Sequence, residues 1–350
     1  MPDYSIEKNR FYTEKTREML KELPVFCGEF FRGIENNTSV LTRYGYANDI
    51  KIFFTYLIEN IDEFSGYDSI NAFTLDDLEK VNASHIEMFM AHLTYYSNKN
   101  GEDIENHERA KARKLAAIRS FFKYFFKKER ISSNVAALVD TPKLHDKPII
   151  RLDVDEVANL LDIVEQGVSL SPSQQRYHKY TKVRDVAILT LFLGTGIRIS
   201  ELVGLNISDL NFVIDGFKIT RKGGDQVILY FGQEVRTALL DYLAQREIIT
   251  PAEGHEDALF LSIQRRRFTV RAIENMVKKY AQICTPLKKI SPHKLRSTYG
   301  TMLYQETGDI YLVADVLGHK DVNTTRKHYA AVLEDRRKAA ARVVKLRDDD

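Results

Sequence analysis

Six residues in the C-terminal half of the chain follow one another in the order Arg198, Lys222, His293, Arg296, His319 and Tyr329. Their types are those that hold and attack a phosphodiester. Guanidinium groups bind two phosphate oxygens at once as a planar fork. Imidazole and ammonium groups donate or move protons, and a phenol can attack phosphorus to form a covalent intermediate. A phenol with its ordinary pKa of about 10 needs help at neutral pH, and the surrounding cations and histidines supply a proton acceptor and charge neutralisation in the transition state.

Taken singly, each residue also has a plain structural reading. Arg198 lies in GTGIRISEL, just after a Gly-Thr-Gly turn and at the start of a short helix, with Glu201 on the same face to orient it or simply to pair with it. Ser291-Pro292-His293-Lys294-Leu295-Arg296 reads as a helix start, with serine as N-cap and proline in the first turn. His293 and Arg296 then share a face near free backbone N–H groups that favour an anion, although a histidine there also serves as an ordinary cap or core residue. His319 follows the glycine that ends a short helix, where a tight turn aims its side chain. Lys222 sits at a predicted hairpin tip, where lysines commonly do no more than solubilise. Tyr329, one of 18 tyrosines, stands out by falling ten residues beyond His319.

The elements that must position these groups can be read from periodicity. From Thr13 to Ala137 apolar residues recur at helical spacing without strand alternation, which predicts a bundle of four or five helices, clearest over Thr42–Asn60, Asn82–Asn98 and Glu108–Glu129. The segment DTPKLHDKPIIRLD, with two prolines and mixed charge, is the expected linker. It divides a helical domain, 1–146, from a second domain, 147–350. In the second, Val154–Gln166, Val183–Leu193, Gln233–Glu247, Thr269–Gln282, Pro292–Thr307, Ile310–Leu317 and a charged tail from Leu333 read as helices. Phe212–Thr220 and Gln226–Phe231 read as strands joined by RKGGD, whose Gly-Gly pair marks a hairpin turn. The fold class is thus mainly α with a small β-sheet in the C-terminal domain.

Composition sets outer limits. A chain of 350 residues exceeds one average domain, and 44% hydrophobic with 29% charged residues is ordinary for a globular protein. The net charge of +2 says nothing about nucleic acid, so the distribution of charge must decide. Glu108–Arg130 carries nine Lys/Arg against two Glu, interleaved with aromatics. Arg113, Lys114, Arg119 and Lys123 on its polar face are candidate DNA-backbone contacts, with Phe121, Tyr124 and Phe125 facing the bundle core; a merely solvated basic helix is the alternative. Cys27 and Cys284 lack disulfide or metal spacing, no secretory or membrane-spanning segment is evident, and a reducing, cytoplasmic setting is expected. No carboxylate cluster suggests two-metal chemistry, so neither a metal nor another cofactor is expected.

Three segments together resemble the tyrosine recombinase, or phage integrase, family. GTGIRISEL is similar to that family's first arginine box, SPHKLRSTYGTML to its H-x-x-R box, and VADVLGHKDVNTTRKHYA to its LGH-to-tyrosine box. The resemblance implies that Arg198 and Arg296 bind the scissile phosphate and that Lys222 is the hairpin general acid. It makes His293 and His319 the phosphate-proximal histidines, and Tyr329 the nucleophile that forms a 3′-phosphotyrosyl bond and releases a 5′-hydroxyl. It further implies a two-domain C-shaped clamp around double-stranded DNA recombination sites, working as a homo-tetramer on two duplexes without metal or nucleotide. Ser297 stands where many relatives carry histidine, outside the catalytic set. The compact plan and the RKGGD turn lean toward Xer-like chromosome-dimer resolution. A mobile-element integrase, a topoisomerase-like relaxing enzyme and a non-catalytic DNA-binding protein of the same fold are the alternatives, and the last would be signalled by loss of a catalytic residue.

Overall fold

The structure is a computed structural model that describes residues 4–97, 101–145, 150–221, 224–319 and 321–322. The chain divides into two compact units, Pro2–Lys147 and Pro148–Asp350.

The first unit carries helices α1 (Tyr4–Leu20), α2 (Cys27–Gly33), α3 (Val40–Asn60), α4 (Leu75–Lys80), α5 (Ala83–His92) and α6 (Glu108–Lys127). The predicted bundle is present, and Asn82 caps α5 with a side-chain bond to the His85 N–H. That helix stops at His92, because a short antiparallel pair, β1 (Tyr95–Ser97) and β2 (Asp103–Glu105), follows it. Periodicity alone predicts helix to Asn98 and no strands. The α6 seam inserts Phe121 and Phe125 among Phe26, Phe30 and Phe54. Phe30 and Phe121 meet edge to face, with centroids 5.2 Å apart, a geometry that adds to the area buried.

The second unit carries α7 (Val154–Gln166), α8 (Pro172–Thr195), α9 (Ile199–Gly204), β3 (Leu210–Asn211), β4 (Gly216–Thr220), β5 (Gln226–Tyr230), α10 (Gln233–Glu247), α11 (Val270–Cys284), α12 (Pro292–Thr307) and α13 (Ile310–Leu317). Helix α8 starts eleven residues before the expected Val183, because Ser171 and Gln174 form a capping box ahead of Pro172. Ile188, Leu191 and Phe192 in its second half are fully buried, and α7, α10 and α12 pack around it. The three strands pair antiparallel in the order β3-β4-β5. Phe217 and Ile219 of β4 point to the core while Lys218 and Thr220 point out, the alternation of a half-buried strand.

A buried polar knot ties α8 to α11. Asp185, 1% exposed, accepts from Arg184 Nε at 3.0 Å and Nη2 at 2.6 Å, and from the Tyr280 hydroxyl at 2.9 Å. Lys279 Nζ lies 3.5 Å from the same carboxylate. Burial drives the Tyr280 phenol well above its usual range and draws the Lys279 ammonium below its own. Removing Asp185 would strand Arg184 uncompensated in the core. Asp185→Ala is therefore expected to cost about 3–5 kcal/mol in denaturant unfolding of this unit, and a loss below about 1 kcal/mol would show that the knot is dispensable.

Candidate active site

Two glycines in left-handed backbone shape the site. Gly196, at φ +62°, ends α8 and turns the chain into α9. A Cβ there would lie 2.4 Å from the Tyr299 ring and 2.9 Å from Leu317 Cδ2, so only glycine admits the close packing of α12 and α13 on this turn. Gly318, at φ +61°, ends α13, with its N–H donating to Asp315 O at 2.8 Å and that of His319 to Ala314 O at 2.9 Å.

Arg198 occupies the N-cap position of α9, as expected. Its backbone N–H donates to Glu201 Oε2 at 2.9 Å and its Nη1 to Glu201 Oε1 at 2.8 Å, so one buried carboxylate sets both the backbone and the head group. Its Nη2 donates to the carbonyls of Leu317 at 3.1 Å and Gly318 at 2.9 Å. The side chain remains 33% exposed.

Arg296, one turn into α12, is 5% exposed. It donates through Nη1 to the Gly196 carbonyl and through Nη2 to the Leu317 carbonyl. Both guanidiniums thus bond the same oxygen, which puts their Nη2 atoms within two hydrogen-bond lengths, about 6 Å. That separation suits two cations gripping one phosphate. His293 lies one turn before Arg296 on the exposed side of α12, and His319 is half-buried directly after Gly318. Ser291 precedes Pro292 at the N-cap position, but its side chain makes no capping bond. The structure therefore brings Arg198, Glu201, Arg296 and the His319 turn together. Lys222 and Tyr329, with the tail expected from Leu333, lie outside the described residues.

A third guanidinium escaped the sequence reading. Arg221, at the end of β4, donates through Nη2 to Asp315 O at 3.2 Å and Val316 O at 3.0 Å. Its only signal in the sequence is the Arg-Lys pair at the hairpin, where the lysine draws the attention. Tyr299 is the tyrosine packed on Gly196, and burial raises its pKa, the wrong direction for a nucleophile. Among the described residues no three His, Cys, Asp or Glu side chains group as a metal site. No helix of the described residues is long and apolar enough to cross a membrane.

The candidate DNA contacts on α6 are placed differently from expectation. Lys114 is buried, with Nζ 3.4 Å from the fully buried Asp49, and Arg113 Nη2 donates to the same carboxylate at 2.8 Å while its side chain stays 52% exposed. Arg119 turns back onto Ala136 O at 3.2 Å, Thr141 Oγ1 at 2.7 Å and the Val139 carbonyl. The helical period that brings Lys114 and Arg119 beside core positions makes them internal ties of the bundle. Lys123 is exposed.

A family model described as the phage integrase family matches residues 151–336. The chain is similar to tyrosine recombinase XerC of Caldanaerobacter subterraneus subsp. tengcongensis, with 31% identity covering 91% of this chain and 87% of that protein. It is also similar to tyrosine recombinase XerS of Streptococcus thermophilus, at 30% identity over 95% of this chain and 99% of that one. Among solved structures, XerH recombinase in a post-cleavage complex with a palindromic difH substrate superposes with a TM-score of 0.62 at 18% identity, over 87% of this chain and 80% of that one. The Tn1549 transposon integrase in complex with a circular intermediate DNA gives a TM-score of 0.64 at 19% identity, over 91% and 99%. These two likenesses concern the fold.

The tight Gly196 turn can be checked by stability. Gly196→Ala carries a left-handed backbone penalty of about 1–2 kcal/mol plus the clash with Tyr299. Gly254, at φ +79° with open space for 4 Å around the place a Cβ would take, has only the backbone part. Urea unfolding is expected to rank Gly196→Ala clearly below Gly254→Ala; equal losses would refute the packing constraint.

Proposed function

The chain belongs to the phage integrase family, the tyrosine recombinases, and from that premise we propose how its residues carry out site-specific DNA recombination. The scissile phosphate is held by Arg198 and Arg296. The Tyr329 hydroxyl gives its proton to one of the two histidines, His293 or His319, and attacks phosphorus, forming a 3′-phosphotyrosyl bond as the bond to the 5′-oxygen breaks. Lys222 gives that oxygen a proton, leaving a free 5′-hydroxyl. His293 and His319 donate to the phosphate oxygens and assist the proton transfers. A 5′-hydroxyl from the partner duplex then attacks the phosphotyrosyl linkage, which restores the phenol and joins the strands. The phosphotyrosyl bond conserves the energy of the broken phosphodiester, so the cycle needs neither nucleotide nor metal.

The observation that carries this reading is the convergence of Arg198 and Arg296, from different elements, on the Leu317 carbonyl beside the His319 turn. Oriented donors of this kind stabilise charge developing on the phosphoryl oxygens without reorganising during reaction. The substrate is double-stranded DNA bearing a recombination site, bound by a homo-tetramer across two duplexes in the cytoplasm. Resolution of chromosome dimers is favoured over mobile-element integration, because Xer recombinases match at 31% and 30% identity over 91% and 95% of the chain. On α6, Arg113 and Lys123 remain the proposed backbone contacts.

Tyr329→Phe is expected to bind site DNA normally and to form no covalent adduct on a nicked suicide substrate; an adduct that survives in denaturing gels removes Tyr329 as the nucleophile. With the wild-type chain, EDTA is expected to leave the adduct yield unchanged, and its loss on chelation would overturn the metal-free scheme.

A further inference from the structure

We propose that Arg221 is a positioning residue for strand cleavage, clamping the mouth of the β4–β5 hairpin to the carboxyl end of α13 so that Lys222, the next residue, is presented to the leaving oxygen. The proposal rests on the reading of Lys222 as the general acid.

Three observations carry it. Arg221 closes the hairpin ladder: its N–H donates to Asp225 O at 2.8 Å, and its carbonyl accepts from the Gly224 N–H at 3.0 Å. The same residue reaches out with Nη2 to Asp315 O and Val316 O. Those carbonyls immediately precede the Leu317 and Gly318 carbonyls that hold the Arg198 head group. One helix end therefore seats both the residue that enters the lysine turn and a residue that grips the phosphate. A shift of either relative to α13 changes the distance between acid and phosphorus.

The fit is close and one-sided. A Cβ on Gly318 would lie 2.5 Å from Arg221 Cζ, so a side chain there would have to push the guanidinium off its seat, in addition to the strain of the positive φ. Arg221 Nε is buried without a hydrogen-bond partner among the described residues, a cost that a simple helix cap on the surface would avoid. A merely structural cap would affect folding or every step of cleavage alike. A residue acting through the acid affects only the departure of a leaving group that needs protonation.

That distinction sets the experiment. Single-turnover adduct formation is measured for the full chain, Arg221→Ala and Lys222→Ala on suicide substrates whose scissile bond carries either the natural 5′-oxygen or a 5′-bridging sulfur. A thiol leaves as a thiolate with a pKa near 8.5 and needs no proton donor. Both variants are expected to be slowed about tenfold or more on oxygen, each 1.4 kcal/mol of lost stabilisation being a factor of ten. On sulfur both are expected to return to within about threefold of the unaltered chain. If Lys222→Ala recovers on sulfur and Arg221→Ala does not, the positioning role is wrong while the acid stands. If Lys222→Ala stays slow on both substrates, the acid reading fails and the proposal with it. Full activity of Arg221→Ala on oxygen also overturns it. Arg221→Met, which keeps much of the bulk but no N–H donor, gives the same comparison should the alanine variant aggregate.

Discussion

The carboxyl end of α13 is the point on which the site depends. A helix leaves its last carbonyls without intrahelical donors and with partial negative charge. Here the carbonyls of residues 315 to 318 are taken by guanidiniums from three other elements: Arg198 from the start of α9, Arg221 from the end of β4 and Arg296 from α12. Three like charges brought to one place repel, and the arrangement holds because each meets backbone oxygens and Arg198 also meets the Glu201 carboxylate. The cation cluster is therefore built into the fold, with the helix end as its template.

Such a template tolerates little change in backbone geometry. Gly196 brings the last turn of α8 against α12 and α13, and also lends its carbonyl to Arg296. Gly318 ends α13 at the turn where Arg221 packs. Both have left-handed backbone and both would lose a close contact to any side chain. The first unit uses basic residues in a related way: Lys114 and Arg119 neutralise Asp49 and satisfy backbone carbonyls near Ala136. A high count of lysine and arginine on one helix is thus a poor measure of its free positive surface.

Much of the second unit was legible because its signals are local. The bounds of α7, α10, α12 and α13 follow from caps, apolar period and glycine stops, and Arg198 with Glu201 was readable as a pair because three residues separate them on a helix. The β1–β2 pair was missed because each strand has three residues and no buried alternation, so nothing interrupts the helical pattern. The expected strand from Phe212 starts instead at Gly216, since Asp215 at φ +48° breaks it with a turn. Arg221 was invisible for a different reason. Its partners lie more than ninety residues away, and backbone carbonyls carry no residue type for a pattern to register.

The choice of side chains separates holding from proton transfer. Arginine offers five N–H donors in a planar fork, so it can bond a helix end and still present donors to an anion; lysine has three on a flexible stem. Arg198 commits Nη1 to Glu201 and Nη2 to two carbonyls, yet a third of its side chain remains open to solvent. A lysine at that position would have to exchange anchoring for binding. The opposite holds at the hairpin. A guanidinium keeps its proton at any pH a protein survives, whereas an ammonium, with an ordinary pKa of about 10.4, can give one to an alkoxide leaving group. In the proposed reaction the adjacent pair Arg221 and Lys222 joins the two properties: the first is suited to hold its place because it cannot deprotonate, and the second to act because it can.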